Sequence, residues 1–340
     1  MWNFPLFPER ASSVAGQVDA VYAAAVAIAL FFTTLICFLI LYHAIKYRRG
    51  SRADRTNPVS QNSTIEAIWI GIPLFISMCL FAGATLVFFE MYHPPENAAE
   101  VYVLGRQWMW ELRHPGGKRE IDELHVPLGR AVRLTMTSQD VIHSFFIPAF
   151  RIKQDVVPGR YTSMWFRATR PGRYHLFCAE YCGTKHSGMV GWVVAMEPSD
   201  FQQWLEEGGT GQEEESMSVA GERLFRRLGC SGCHGANATV RAPMLEGVFG
   251  HPVPLQDGSF VQADERYIRD SVLLPQSQVV AGYKPVMPTF QGHIDEADLL
   301  KIIAYIKAIG KEREQGQMRG PAQELEQGRG PGQGQGGGAR

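Results

Sequence analysis

The chain is short of net charge. Its 33 lysines and arginines stand against 34 acids, for a formal charge of -1 over 340 residues. This leaves no broad basic field for nucleic acid and no strongly acidic character. Cysteine is scarce, with six in all, and there is no internal repeat. Two stretches lack charge entirely: residues 20–45 and residues 67–89, the second bracketed by Glu66 and Glu90. The length allows two or three domains.

A bilayer core of roughly 30 Å takes about 20 apolar residues in a helix, so both uncharged runs are long enough to span. Gly71 and Pro73 near the start of the second are tolerated in membrane helices. Between the runs lie Lys46, Arg48, Arg49, Arg52 and Arg55. Positive charge in a short loop marks the cytoplasmic side, which puts everything after Tyr92 outside. The first run is too long for a cleaved signal peptide, and its basic flank follows it where a signal peptide's precedes.

After Pro94 and Pro95 the pattern changes. Residues 131–138 and 161–168 alternate apolar and polar, with turns at Pro158-Gly159 and Pro171-Gly172. This predicts an antiparallel sandwich or barrel ending near Trp204. Residues 206–217 are rich in Gly and Glu and read as a flexible linker. A helical pattern follows over 219–228. A last helix is expected after Asp295, a good N-cap, with Leu299, Ile302, Ile303, Ile306 and Ile309 on one face. From Lys311 the Gln/Gly/Arg/Glu-rich sequence predicts disorder.

Cys37 and Cys79 lie inside apolar runs and read as inert packing residues. The other four cysteines form two close pairs, which means disulfide, metal or haem attachment. In the segment CAEYCGTKHSGM, Cys178, Cys182, His186 and Met189 fall within one loop. Soft sulfur with imidazole selects copper or zinc, and a thioether argues for copper. A second imidazole comes from His143 in DVIHSFFIP. A simple disulfide would leave His143, Glu180, His186 and Met189 unexplained. The second pair, Cys230 and Cys233 in CSGCH, has the spacing of c-type haem attachment, with His234 as iron ligand. Met287, in a Pro-flanked loop, is the expected sixth ligand, and His/Met ligation raises the reduction potential. The rival ligands are Met244, His251 and His293; Met244, in RAPMLEGVFG, reads as core over the haem edge.

Through GRQWMW, DVIHSFFIP and CAEYCGTKHSGM, residues 15–200 closely resemble cytochrome c oxidase subunit II, a haem–copper oxidase component. Residues 218–312 resemble a small class I cytochrome c. The resemblance implies a multidomain chain: a transmembrane two-helix hairpin (1–95), an all-β cupredoxin-like sandwich (96–205), a linker (206–217), an all-α cytochrome c domain (218–312) and a tail (313–340). It implies a dinuclear copper centre bridged by Cys178 and Cys182, with His143, His186, Met189 and the carbonyl of Glu180 completing it. The Glu180 side chain would reach a magnesium ion at the interface with subunit I. Trp108 matches an electron-entry aromatic, and Glu66 matches a carboxylate at the mouth of a proton channel. Trp108 also fits an ordinary core aromatic, and Glu66 a solvated helix-end acid.

The implied function is electron entry to a respiratory terminal oxidase: from a soluble or membrane cytochrome c to haem c, to dinuclear copper, to haem in subunit I, and to dioxygen, coupled to proton translocation. The implied partners are oxidase subunits I and III, in a bacterial cytoplasmic membrane with both redox domains on the periplasmic side. The linker would tether the haem domain at an effective concentration of about millimolar. The competing reading is the electron-entry subunit of a related nitric oxide reductase. A stand-alone carrier or copper-delivery protein has little need of both a covalent haem and the hairpin.

Overall fold

The computed structural model describes residues 7–56, 61–207, 215–235, 238, 240 and 242–318, with 311–318 as backbone only. Two long helices come first, α1 (Ala15–Lys46) and α2 (Ser63–Tyr92). Both are apolar on every face and exposed, and both are long enough to cross a membrane. Asn62 starts α2 by accepting the backbone N–H groups of Thr64 and Ile65 at 3.2 and 3.1 Å. Glu66 sits in that first turn.

Ten strands follow: β1 (Ala99–Arg106), β2 (Met109–Arg113), β3 (Arg119–Ile121), β4 (Glu123–Pro127), β5 (Ala131–Ser138), β6 (His143–Ile147), β7 (Ile152–Val156), β8 (Thr162–Arg167), β9 (Gly172–Cys178) and β10 (Val190–Met196). They form two sheets, ordered β3-β2-β1-β5-β8 and β4-β10-β9-β6-β7. The alternating stretches 131–138 and 161–168 are β5 and β8. Their inward residues meet those of the other sheet around fully buried Trp110, Leu134, Phe145, Phe150 and Leu176. Pro158-Gly159 makes a turn in which Gly159 takes φ +75°.

The hairpin is fastened to this sandwich. Ser12 bridges Ala168 beside β8, and Ala11 donates to the Ala149 carbonyl at 3.0 Å. The Arg151 guanidinium holds Asp19 of α1 at 2.7 Å, and Trp165 Nε1 donates to the Glu90 carbonyl of α2 at 3.1 Å.

Helix α3 (Pro198–Glu207) closes the sandwich. Residues 208–214 of the expected linker lie outside the described residues. Then come α4 (Met217–Arg227), the single turn α5 (Ser231–His234), the β11 (Pro252–Pro254) and β12 (Phe260–Gln262) hairpin, α6 (Glu265–Leu273) and α7 (Glu296–Met318). Asp295 Oδ1 accepts the Asp298 N–H at 2.7 Å and starts α7. Leu299, Ile302, Ile303 and Ile306 are buried on one face of α7 as the periodicity predicts. Helix α4 crosses α7 at Gly221, where a Cβ would lie 2.0 Å from the Lys301 carbonyl oxygen, so only glycine permits this approach. The α7 backbone continues to Met318, so the first residues of the expected structureless tail are helical; residues 319–340 lie outside the described residues.

Candidate metal centre and haem pocket

The first site lies at one end of the second sheet. Strand β6 begins at His143, and its pairing with β9 sets Phe145 opposite Cys178, the last residue of β9. The loop from β9 to β10 then carries Glu180, Cys182, His186 and Met189, and the Cys178 N–H closes it on the Met189 carbonyl at 3.1 Å. Cys178 Sγ and Cys182 Sγ are 3.7 Å apart, far beyond the 2.03–2.05 Å of a disulfide. His143 Nδ1 faces Cys178 Sγ at 3.9 Å, and His186 Nδ1 faces Cys182 Sγ at 3.5 Å. Met189 Sδ is 3.9 Å from Cys182 Sγ, and the Glu180 carbonyl oxygen is 3.3 Å from Cys178 Sγ. The ligand atoms of His143, Cys178 and Cys182 all fall within 4.8 Å of one another. Two thiols with an imidazole on each side, a thioether and a carbonyl make a donor set fitted to soft metal ions sharing two sulfurs.

The electrostatics agree. Burial raises the Cys178 thiol, but His143 and neighbouring hydrogen bonds outweigh it and bring it down to about 6. Burial, then the charge on Cys178, pushes the Cys182 thiol up to about 12. Two sulfurs this close do not both ionise unaided; a bound cation removes that conflict.

Outer contacts orient the donors. His143 Nε2 donates to Asp140 Oδ1 at 2.8 Å, which turns Nδ1 to the sulfurs. Asp140 also accepts the Gln107 N–H at 2.7 Å. Gln107 Nε2 and Trp108 Nε1 both donate to the Cys182 carbonyl, at 2.8 and 3.1 Å. Trp108 is half-buried and thus reaches both the ligand loop and the surface. The sequence did not single out Gln107 or Asp140; Asp140 stands three residues before His143, the signal that was there to use. Glu66 lies in the first turn of the membrane helix α2, apart from both sites, and the Glu180 side chain is exposed.

The second site is an apolar cavity of about 230 Å³ between α4, α6 and α7. Cys230, Cys233, His234 and Met287 all line it. His234 Nδ1 donates to the Pro243 carbonyl at 2.8 Å, leaving Nε2 available to a metal. Gln278 Oε1, also in the lining, is buried with no hydrogen-bond partner among the described residues. A largely apolar slot with two thiols, an imidazole, a thioether and one stranded polar atom fits a haem and its polar edge. Among the described residues, His234 is the only histidine and Met287 the only methionine in that lining. Met244, expected in the core, is 66% exposed, while its neighbours Pro243 and Leu245 line the cavity.

Three family models match: the transmembrane domain of cytochrome c oxidase subunit II over residues 1–84, its periplasmic domain over 116–196, and cytochrome c over 218–310. Cytochrome c oxidase subunit 2 of Alkalihalophilus pseudofirmus is 30% identical over 298 residues, 83% of this chain and 84% of the relative. The alternative cytochrome c oxidase subunit 2 of Bradyrhizobium diazoefficiens is 28% identical over 64% of this chain and 82% of the relative. The solved periplasmic domain of subunit II of Bradyrhizobium japonicum cytochrome oxidase is 28% identical over 34% of this chain and 96% of that one, with a TM-score of 0.33. The chain belongs to the cytochrome c oxidase subunit II family, as a membrane protein whose cupredoxin-like domain is followed by a cytochrome c domain.

Proposed function

We propose that this chain is the electron-entry subunit of a terminal oxidase in a bacterial inner membrane, with both redox domains on the periplasmic side. The observation that carries the reading is the convergence of Cys178, Cys182, His143, His186, Met189 and the Glu180 carbonyl on one point. Those residues would hold a dinuclear copper centre. Cys230, Cys233, His234 and Met287 would hold one covalent haem c. When bound, these groups supply one-electron carriers in the order external cytochrome c, haem c, dinuclear copper, haem of subunit I, with dioxygen reduced in subunit I.

The residues of this chain keep those carriers in place. Asp140 holds the His143 ring, Pro243 holds the His234 ring, and Trp108 ties the protein surface to the carbonyl of Cys182. Burial of Cys178, Cys182 and Met189 keeps water from the sulfur donors. Glu66 would pass protons at the cytoplasmic mouth of a channel in subunit I, and the Glu180 carboxylate would hold magnesium at the interface with that subunit. The basic stretch from Lys46 to Arg55 supports the orientation. Subunit III is the expected third partner.

Purification of the tagged full-length chain in detergent tests this. The expected preparation contains a many-helix haem-bearing subunit and consumes dioxygen with a reduced c-type cytochrome. A preparation that consumes nitric oxide and no dioxygen would move the chain to the reductase class. A chain that purifies alone and turns over neither would overturn the reading.

A further inference from the structure

The sequence leads one to expect a haem domain free to move on a Gly/Glu linker. The two domains instead meet over a built interface. On β1 and β5, Val101, Val103, Leu134 and Met136 face the sandwich core. The alternate residues Glu100, Tyr102, Arg133 and Thr135 share the outer face, with Glu100 opposite Arg133 and Tyr102 opposite Thr135. The C-terminal helices rest on that face. Lys307 of α7 donates to both carboxylate oxygens of Glu100 at 2.6 Å and to Glu265 of α6 at 3.0 Å. Arg133 crosses in the opposite sense to Glu265 at 3.2 Å. Thr135 Oγ1 adds a bond to Glu100 at 2.9 Å.

Two carboxylates and two cations thus alternate across the boundary, one of each sign from each domain. Lys307 is only 9% exposed and Glu265 only 6%. Tyr102 and Met217 pack with Leu300 and Ala304 beside them, with Tyr161 against the cluster. Tyr161 Oη donates to Glu296 at 3.3 Å, and Glu296 is itself held by Arg269 at 2.7 Å. Burial raises the Glu100 carboxyl, but Lys307 and Arg133 more than offset it, so it stays charged.

We propose that the C-terminal domain is seated at one position on the outer face of the β1–β5–β8 sheet, and that the Glu100–Lys307–Glu265–Arg133 cluster fixes that position. Buried charges are strongly unfavourable when left unpaired. A sliding or tilted arrangement strands at least one of the four, whereas an apolar contact alone tolerates many registers. The seat rests on neither cofactor. Where the proposed function holds, it gives the haem and copper sites one separation.

Paired nitroxide labels on the full-length chain in detergent test this. They are carried on ketone-bearing amino acids at exposed Lys153 and Asp257, so that the cysteines stay free for their own chemistry. Dipolar electron paramagnetic resonance on the otherwise unaltered protein is expected to give one narrow distance, unchanged by molar salt. Either Lys307→Glu or Glu100→Lys, which place like charges in the cluster from opposite domains, is expected to lose the single peak to a broad distribution. The double exchange Glu100→Lys with Lys307→Glu is expected to recover it. An unaltered chain with a broad distribution would overturn the seat. Narrow, unshifted peaks in both single variants would overturn the role of the cluster.

Discussion

Trp108 Nε1 lies 3.1 Å from the carbonyl oxygen of Cys182, so one hydrogen bond links a half-buried indole to the loop that bears the sulfur donors. Gln107 Nε2 reaches the same oxygen at 2.8 Å. The turn between β1 and β2 is thereby held to the β9–β10 loop at a single atom.

Trp108→Ala removes both the ring and the bond. Reduction of the copper centre, followed by rapid mixing, is expected to slow about tenfold or more, a barrier increase of roughly 1.4 kcal/mol or above. Trp108→Phe keeps a ring and loses the bond, worth about 0.5–1.5 kcal/mol net, and is expected to show a smaller effect. An unchanged rate in Trp108→Ala would place electron entry elsewhere.

Met287→Ala leaves Cys230, Cys233 and His234 in place, so haem stays attached. The reduction potential is expected to fall, because thioether ligation is what raises it, and redox titration of the visible spectrum reads this directly. The same potential in Met287→Ala and a drop in Met244→Ala would assign the sixth ligand to Met244, against its exposed position.

Gly221→Ala places a Cβ where the Lys301 carbonyl oxygen already sits, 2.0 Å away. Helices α4 and α7 must then separate. Overpacking of this kind costs about 1–3 kcal/mol. For a domain of this size each kcal/mol lowers the melting temperature by about 4–8 °C. Haem absorbance during heating measures it, and an unshifted transition would contradict the close crossing.

Acid is expected to loosen the seat between the domains. The Glu100 carboxyl is held below its ordinary value of 4.5 in the folded chain. A carboxylate with a depressed folded pKa adds stability that is fully present above 4.5 and is lost as pH falls through the lower folded value. The narrow label-to-label distance is therefore expected to persist from neutral pH down to about 4.5 and to broaden below it. Broadening between pH 6 and 8 would contradict this assignment.

Much of both sites is legible in the sequence because the chemistry is local. Cys178, Cys182, His186 and Met189 share one loop, and Cys230, Cys233 and His234 share one turn, so spacing alone brings their donors together. His143 and Met287 come from distant segments but sit beside turn and strand signals that mark them. What escapes the sequence is contact made through backbone carbonyls and through register. Nothing in the residue types says that Pro243 orients His234, or that Gln107 reaches Cys182. The interdomain cluster is harder still: Lys307 and Glu100 are 207 positions apart, and each reads alone as a solvated surface charge. Only the pairing of β1 with β5, and the rotation of α7, puts them together. The exposure of Met244 has the same origin, since the local path of the backbone decides which of Pro243, Met244 and Leu245 faces the cavity.

A shared two-metal site at Cys178 and Cys182 underlies the proposed electron entry. Its most direct test is the copper and iron content of the full-length, detergent-purified chain, taken with the electron paramagnetic resonance spectrum of its oxidised form. The expected result is about two coppers per haem iron, in keeping with the donor set, with hyperfine structure from one unpaired electron spread over two copper nuclei. One copper or none, beside an intact low-spin haem, would contradict the dinuclear site and leave a membrane-bound cytochrome with a metal-poor sandwich.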